Sequence, residues 1–168
     1  KILPAEVTYL ISHILLDDSA RSITFGSGSI LNIPNKVVSV KTGTTEDKRD
    51  NWTIGYTPSL LTAVWVGNND NSPMSPYLES GNTGAAPIWH KIMAEALKDK
   101  PAEWPLKPDN IVFEEVCSLS GLLPANNCPT RGEYFIKGTV PTKTDDVWDQ
   151  KRDDHIFISD PLQQDFCV

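Results

Sequence analysis

The chain has 168 residues, 39% hydrophobic and 22% charged, which excludes wholesale disorder and allows one domain, or a partial domain with a small appendage. Fifteen basic against 22 acidic side chains give −7. The excess sits in residues 101–168, where 6 basic groups face 12 acidic ones, so the footprint that nucleic-acid phosphates require is absent.

No stretch reaches the roughly 18 apolar residues of a membrane span, and no signal-peptide pattern opens the chain. It starts at Lys1 rather than at methionine, which suits an excised piece of a longer protein, so missing targeting signals say nothing of the parent. Residues 4–17 predict an amphipathic helix. Pro4 suits a first turn, and Val7, Leu10, Ile11, Ile14 and Leu15 form one stripe. Residues 18–35 lose periodicity, and Phe25-Gly26-Ser27-Gly28-Ser29 with Asn32 and Pro34 reads as loop. Gly26 and Gly28 lack a third glycine and a preceding strand, which excludes a dinucleotide-binding turn.

From Val37 the pattern turns strand-like. Val37 to Val40 runs into Lys41-Thr42-Gly43-Thr44-Thr45; after a charged turn, Trp52, Ile54 and Tyr56 alternate onto one face. Leu60 to Val66 is a further strand, and three strands with short links imply an antiparallel meander. A helix follows from Pro87 to about Leu97, with Trp89, Ile92, Met93 and Ala96 on one stripe. The fold class expected is α+β, an antiparallel sheet flanked by helices. Pro101, Pro105 and Pro108 mark a linker, dividing residues 1–100 from an acidic, small β-rich or irregular extension over 101–168. Its strand candidates are Ile111 to Phe113 and Tyr134 to Ile136, and its last twenty residues are polar with little pattern.

The string Lys41-Thr42-Gly43-Thr44 at a strand end suits serine acyl transfer. A bordering strand offers its backbone to an extended substrate, and a glycine lets that substrate approach closely. Lys41 supplies fixed positive charge, and the hydroxyls of Thr42 and Thr44 can hold a carboxylate. The N–H after the glycine can face a developing oxyanion. Neighbouring strings add to this: Arg49-Asp50-Asn51-Trp52, Gly55-Tyr56-Thr57-Pro58, Val64-Trp65-Val66-Gly67-Asn68 and Thr83-Gly84-Ala85-Ala86-Pro87-Ile88-Trp89. Further on stand Val116-Cys117-Ser118-Leu119-Ser120-Gly121-Leu122, Cys128-Pro129 and Gly138-Thr139-Val140-Pro141. Across roughly residues 1–142 the chain resembles the class A penicillin-binding proteins, looking most like their 1C-type subfamily.

The resemblance implies a peptidoglycan D,D-transpeptidase that cross-links stem peptides ending in D-Ala-D-Ala, is acylated by β-lactams and needs no cofactor or metal. It implies catalytic roles for Lys41 and Thr44 and substrate contacts from Thr42, Gly43 and Thr44. It also implies a parent anchored in the bacterial cell membrane with this part on the extracytoplasmic face. The family signature runs S-x-x-K, S-x-N, K-T-G. No serine here has a lysine three positions later, so the nucleophile is expected in an upstream half and this chain alone should be inactive. Ser80-Gly81-Asn82 follows the KTG instead of preceding it and reads as coincidence. The alternatives are a serine β-lactamase-like hydrolase fragment, which shares the KTG strand, and a non-catalytic cell-wall-binding module. Without its upstream half the sheet should expose an apolar face, covered by dimerisation or strand exchange.

Other residues read as structural. Trp52, Trp65 and Trp89 suit core packing, Asp50 a turn or cap, and His13 and His90 the helix surface. Asn51-Trp52-Thr53 spells a glycosylation sequon, which bacterial origin empties of meaning. The ten residues between Cys117 and Cys128 do not fit a CxxC metal knuckle, and His155 stands too far off to complete one. These two cysteines are either a disulfide, if the protein lies outside the cytoplasm, or unpaired thiols alongside Cys167.

Overall fold

The computed structural model describes every residue except Lys1, Ser27, Glu79, Asn126, 149–156, 160–164 and Val168. The sequence readings of Ser27 and His155, and of the Cys167 side chain, lie outside what it describes. Two compact units form, Lys1–Pro108 and Asp109–Val168, so the proline-rich stretch belongs with the first. The α+β class expected from the sequence is the one observed.

In the first unit, helix α1 (Ala5–Leu16) starts after Pro4, whose carbonyl receives the Thr8 N–H at 3.2 Å. The expected stripe docks only in part: Val7, Leu10 and Leu15 are half-buried, Ile11 and Ile14 are exposed, and Tyr9 and Ser12 are buried. A polar seam joins it to the sheet: Ser12 Oγ lies 3.0 Å from the Tyr56 hydroxyl, and Ser39 Oγ donates to the Ser12 carbonyl at 2.8 Å. Helix α2 (Asp18–Phe25) fills the start of the stretch where periodicity is lost, ending where the expected loop begins. Its composition hides it, but Asp17 caps it by accepting the Ala20 N–H at 3.0 Å, a start signal the missing periodicity obscured.

Strands β1 (Ser39–Thr44), β2 (Asp50–Tyr56) and β3 (Leu61–Gly67) form the expected antiparallel meander in the order β1-β2-β3. The register sets Lys41 opposite Ile54, Gly43 opposite Trp52, and Trp52 opposite Trp65. Because side chains alternate, Lys41, Gly43, Trp52, Ile54 and Trp65 share one face. Val40, Thr42, Thr44, Asn51, Thr53 and Val64 share the other. Helix α3 (Ala85–Leu97) packs on that second face through Ala85, Ala86, Trp89, Met93 and Leu97. Leu31, Ile33, Val38, Val40 and Val64 complete this core. Ile92 and Ala96, expected on the buried stripe, are exposed. Trp52 and Trp65, expected in the core, are each 42% exposed on the Lys41 face.

Asn51 joins three pieces of this unit. Fully buried, it accepts the Ala85 N–H at 2.9 Å and donates to the Leu78 carbonyl at 2.7 Å. It thereby pins the start of α3 and the loop before it onto β2, and its burial keeps the sequon out of reach. Asn51→Leu leaves one amide and one carbonyl without partners, and each costs about 1–3 kcal/mol. Urea unfolding of the variant should show a loss of about 2–4 kcal/mol. A loss below about 0.5 kcal/mol would mean that these groups find water instead.

The second unit is built on β4 (Ile111–Cys117) and β5 (Thr130–Ile136), paired antiparallel with Cys117 opposite Thr130. Phe113 and Tyr134 meet edge to face at 5.0 Å. Beyond β4 the chain folds back. The Cys117 N–H donates to the Leu122 carbonyl at 2.8 Å, and Gly121 takes a positive φ of 70° to close the turn. Leu123 forms a parallel bridge with Thr144. Short strands β6 (Phe157–Ser159) and β7 (Asp165–Cys167) pair antiparallel within the stretch expected to lack pattern.

Candidate active-site strand

The KTG string lies inside β1, an outer strand of the sheet. Only β2 pairs with it among the described strands, so its other edge carries no ladder partner. The sequence achieves this by placing β-branched Val38 and Val40 in the core while Lys41, Gly43 and Thr44 stay exposed. A Cβ built on Gly43 would meet nothing within 4 Å, so the space over the backbone is open. The Lys41 ammonium donates to the Thr42 carbonyl at 2.5 Å.

A cavity of about 400 Å³ adjoins the strand, lined by Ile14, Leu15, Phe25, Leu31 and Val40 together with Lys41 and Thr42. A second recess of about 380 Å³ lies at the far end of the sheet, between Tyr9, Val37, Tyr56 and Pro105. It contains none of the KTG residues.

Thr42 and Thr44 turn to the α3 face, where the loop before that helix reaches them, leaving Thr42 half-buried and Thr44 exposed. The Gly81 N–H donates to Thr44 Oγ1 at 3.2 Å, and a Cβ on Gly81 would stand 2.9 Å from Thr42 Cβ. As an acceptor in that bond, the Thr44 hydroxyl keeps its own proton to donate. Ser80-Gly81-Asn82, read as coincidence, is therefore in contact with the motif strand. Ser80 Oγ lies 3.0 Å from Thr83 Oγ1 and accepts the Thr83 N–H at 3.1 Å. The Asn82 side-chain oxygen is buried without a hydrogen-bond partner among the described residues. Sequence spacing gave no sign of this contact, since 37 positions separate Thr44 from Gly81.

Asp50 takes the turn position expected of it. Its backbone exchanges bonds with Thr45, its Oδ2 accepts the Trp65 indole N–H at 3.0 Å, and this ties β2 to β3. His90 corrects the surface expectation: it is half-buried, with Nδ1 2.7 Å from the Ile30 carbonyl. His13 is half-buried too, its ring centroid 6.0 Å from that of Tyr9.

Comparison with known proteins places this architecture. A family model described as "Penicillin-binding protein 1A, C-terminal domain" matches residues 107–150. Penicillin-binding protein 1A of Clostridium tetani is 34% identical over 84% of this chain and 18% of its own length. The protein of the same name from Pseudomonas aeruginosa is 35% identical over 80% of this chain and 16% of its own. Among solved structures, penicillin-binding protein 1A from Haemophilus influenzae matches with a TM-score of 0.71 and 32% identity. That match covers 85% of this chain and 22% of the other. The α+β layer with its motif strand belongs to the class A penicillin-binding proteins. Within that class the relatives are of the 1A kind, and the 1C-type likeness is not confirmed. The chain spans under a fifth of the length of the curated relatives named here. Among the described residues no helix is long and apolar enough to cross a membrane.

Proposed function

We propose that this chain forms the KTG side of a serine D,D-transpeptidase that cross-links peptidoglycan stem peptides and is acylated by β-lactams. The observation that carries the reading is an outer strand with an open edge, bearing exposed Lys41, an unobstructed Gly43 and Thr44. A stem peptide ending in D-Ala-D-Ala can lie along that edge as an added strand. The Lys41 charge favours the anionic substrate end and helps orient the proton relay of the nucleophile. Thr42 and Thr44 bind the terminal carboxylate, and the Thr44 N–H contributes to the oxyanion hole.

The nucleophile is a serine in a segment N-terminal to this one. Its hydroxyl attacks the carbonyl before the terminal D-alanine, which leaves as the amine, and an acyl-enzyme results. An amine from a neighbouring stem peptide then displaces the serine oxygen and forms the cross-link. The exposed face bearing Trp52, Ile54, Leu61 and Trp65 suits coverage by that preceding half. The parent works on the extracytoplasmic side of the membrane, where its substrate is, and residues 109–168 form an appended unit.

Intact-mass spectrometry after incubation with a penicillin tests the proposal, on this chain alone and on the chain co-expressed with its upstream segment. The expected adduct appears only in the assembled sample and only on the upstream segment. An adduct on this chain alone would make one of its own serines the nucleophile. No adduct on the verified assembly would leave the KTG strand as scaffold and favour a binding module.

A further inference from the structure

The second unit gathers three metal-binding side chains that the strand motif does not use. Cys117 ends β4, Cys128 precedes β5, and Asp145 lies in the segment beyond it. One ligand atom from each falls within 4.8 Å of the other two. All three residues are buried, at 0%, 6% and 3% exposure. The backbone locks them together. Cys117 N–H donates to the Leu122 carbonyl at 2.8 Å, Leu123 N–H to Lys143 at 3.0 Å, and Asp145 N–H to Leu123 at 2.7 Å. The Ser118 N–H donates to the Pro129 carbonyl at 2.7 Å, drawing the segment after Cys128 onto the same turn.

We propose that Cys117, Cys128 and Asp145 bind a single zinc ion that staples this unit together. Sequence spacing argued against a metal because it considered only cysteines and histidine; the bridge between Leu123 and Thr144 adds a carboxylate that no spacing rule anticipates. The carboxylate is the independent sign of a ligand. Its Oδ2 accepts the Trp148 N–H at 2.8 Å, but its Oδ1 is buried with no partner among the described residues. With the Ser120 hydroxyl and the two thiols close by but no hydrogen bond of ordinary geometry to Oδ1, this buried carboxylate is a group that a bound cation would stabilise further.

Two soft sulfurs and one carboxylate oxygen suit zinc over magnesium or calcium. Ligands held about 2.0–2.3 Å from zinc stand some 3.3–3.8 Å apart, so small side-chain rotations close the set. Three protein ligands leave the fourth tetrahedral position to water. Binding forms two Zn–S bonds and one Zn–O bond, and the two thiol protons pass to solvent. A Cys117–Cys128 disulfide, the competing arrangement, would leave Asp145 Oδ1 with no cation to meet it.

The test takes the full chain, reduced and freed of metal, adds zinc, desalts it and measures bound metal by elemental analysis. Cobalt(II) is then used as a spectroscopic substitute. About one zinc per chain should be retained, and cobalt should show intense sulfur-to-metal charge-transfer absorption. Cys128→Ser and Asp145→Asn should each weaken zinc binding by at least about a hundredfold, since even outer-shell losses cost 10–100-fold. Asp145→Cys should keep it. The cobalt spectrum is read on the unaltered chain, so a variant that fails to fold does not decide the matter. Three results would overturn the proposal: no zinc retained by the reduced chain, cobalt bound without the sulfur band, or zinc affinity unchanged in a folded Asp145→Asn variant.

Discussion

Trp89→Ala should destabilise the first unit by about 3–5 kcal/mol, the cost of deleting a fully buried aromatic side chain. Trp89 is wholly inaccessible and sits in the core of α3 against the sheet. Its ring fills the space over Gly55, where a built Cβ would come within 2.2 Å of Trp89 Cζ2. Neither side can yield: Gly55 is in the middle strand, bonded on both edges, and the ring is enclosed. Gly55→Ala is therefore expected to cost about 1–3 kcal/mol by overpacking.

The two changes should not add. With Trp89 shortened, the added methyl has room, and alanine in a strand is favoured over glycine by about 0.5–1 kcal/mol. The cost of Gly55→Ala should then vanish or reverse, a coupling that a double-mutant cycle by urea unfolding reads directly. Additive losses would mean that the ring does not occupy the space over Gly55 in solution. The Trp89 indole N–H has no partner among the described residues, so Trp89→Phe should cost less than the alanine change.

The second large effect concerns Lys41 and rests on the proposed transpeptidase reading. In the complete enzyme, Lys41→Ala should slow acylation by a fluorescent penicillin by about 10²–10⁴-fold, the usual range for losing a positioned proton-transfer group or charge stabiliser. Stability should stay within about 0.5 kcal/mol of the parent, as for surface substitutions generally. The side chain is exposed and its ammonium donates to the neighbouring Thr42 carbonyl. Lys41→Arg keeps the charge but not the compact ammonium, and should recover only part of the rate. An unchanged acylation rate in Lys41→Ala would remove Lys41 from the machinery and leave the strand a scaffold.

The residues that carry the motif strand were legible because they obey local rules. β-branched residues lead into the motif, glycines and turns punctuate the strands, and the three-strand meander follows from short links. The partners of each apolar surface were not legible. Periodicity marks Ile11 and Ile14 as one face of α1, yet a helical stripe carries no record of what covers it, and the structure docks α1 through Ser12 and Tyr9 instead. Trp52 and Trp65 misled for the same reason: their size suggests burial, but sheet alternation places them opposite α3.

By itself the sequence determined the fold class, the position of Lys41-Thr42-Gly43-Thr44 on a strand, and the resemblance to the penicillin-binding proteins, all of which rest on neighbours a few residues apart. Only the tertiary structure decided that Gly81 closes onto Thr44 and that Asp145 joins Cys117 and Cys128. Those meetings depend on loops returning across 37 and 28 positions. Loop closure costs little more as chains lengthen, so no local rule selects which distant residues will meet. Packing of the whole unit makes that choice.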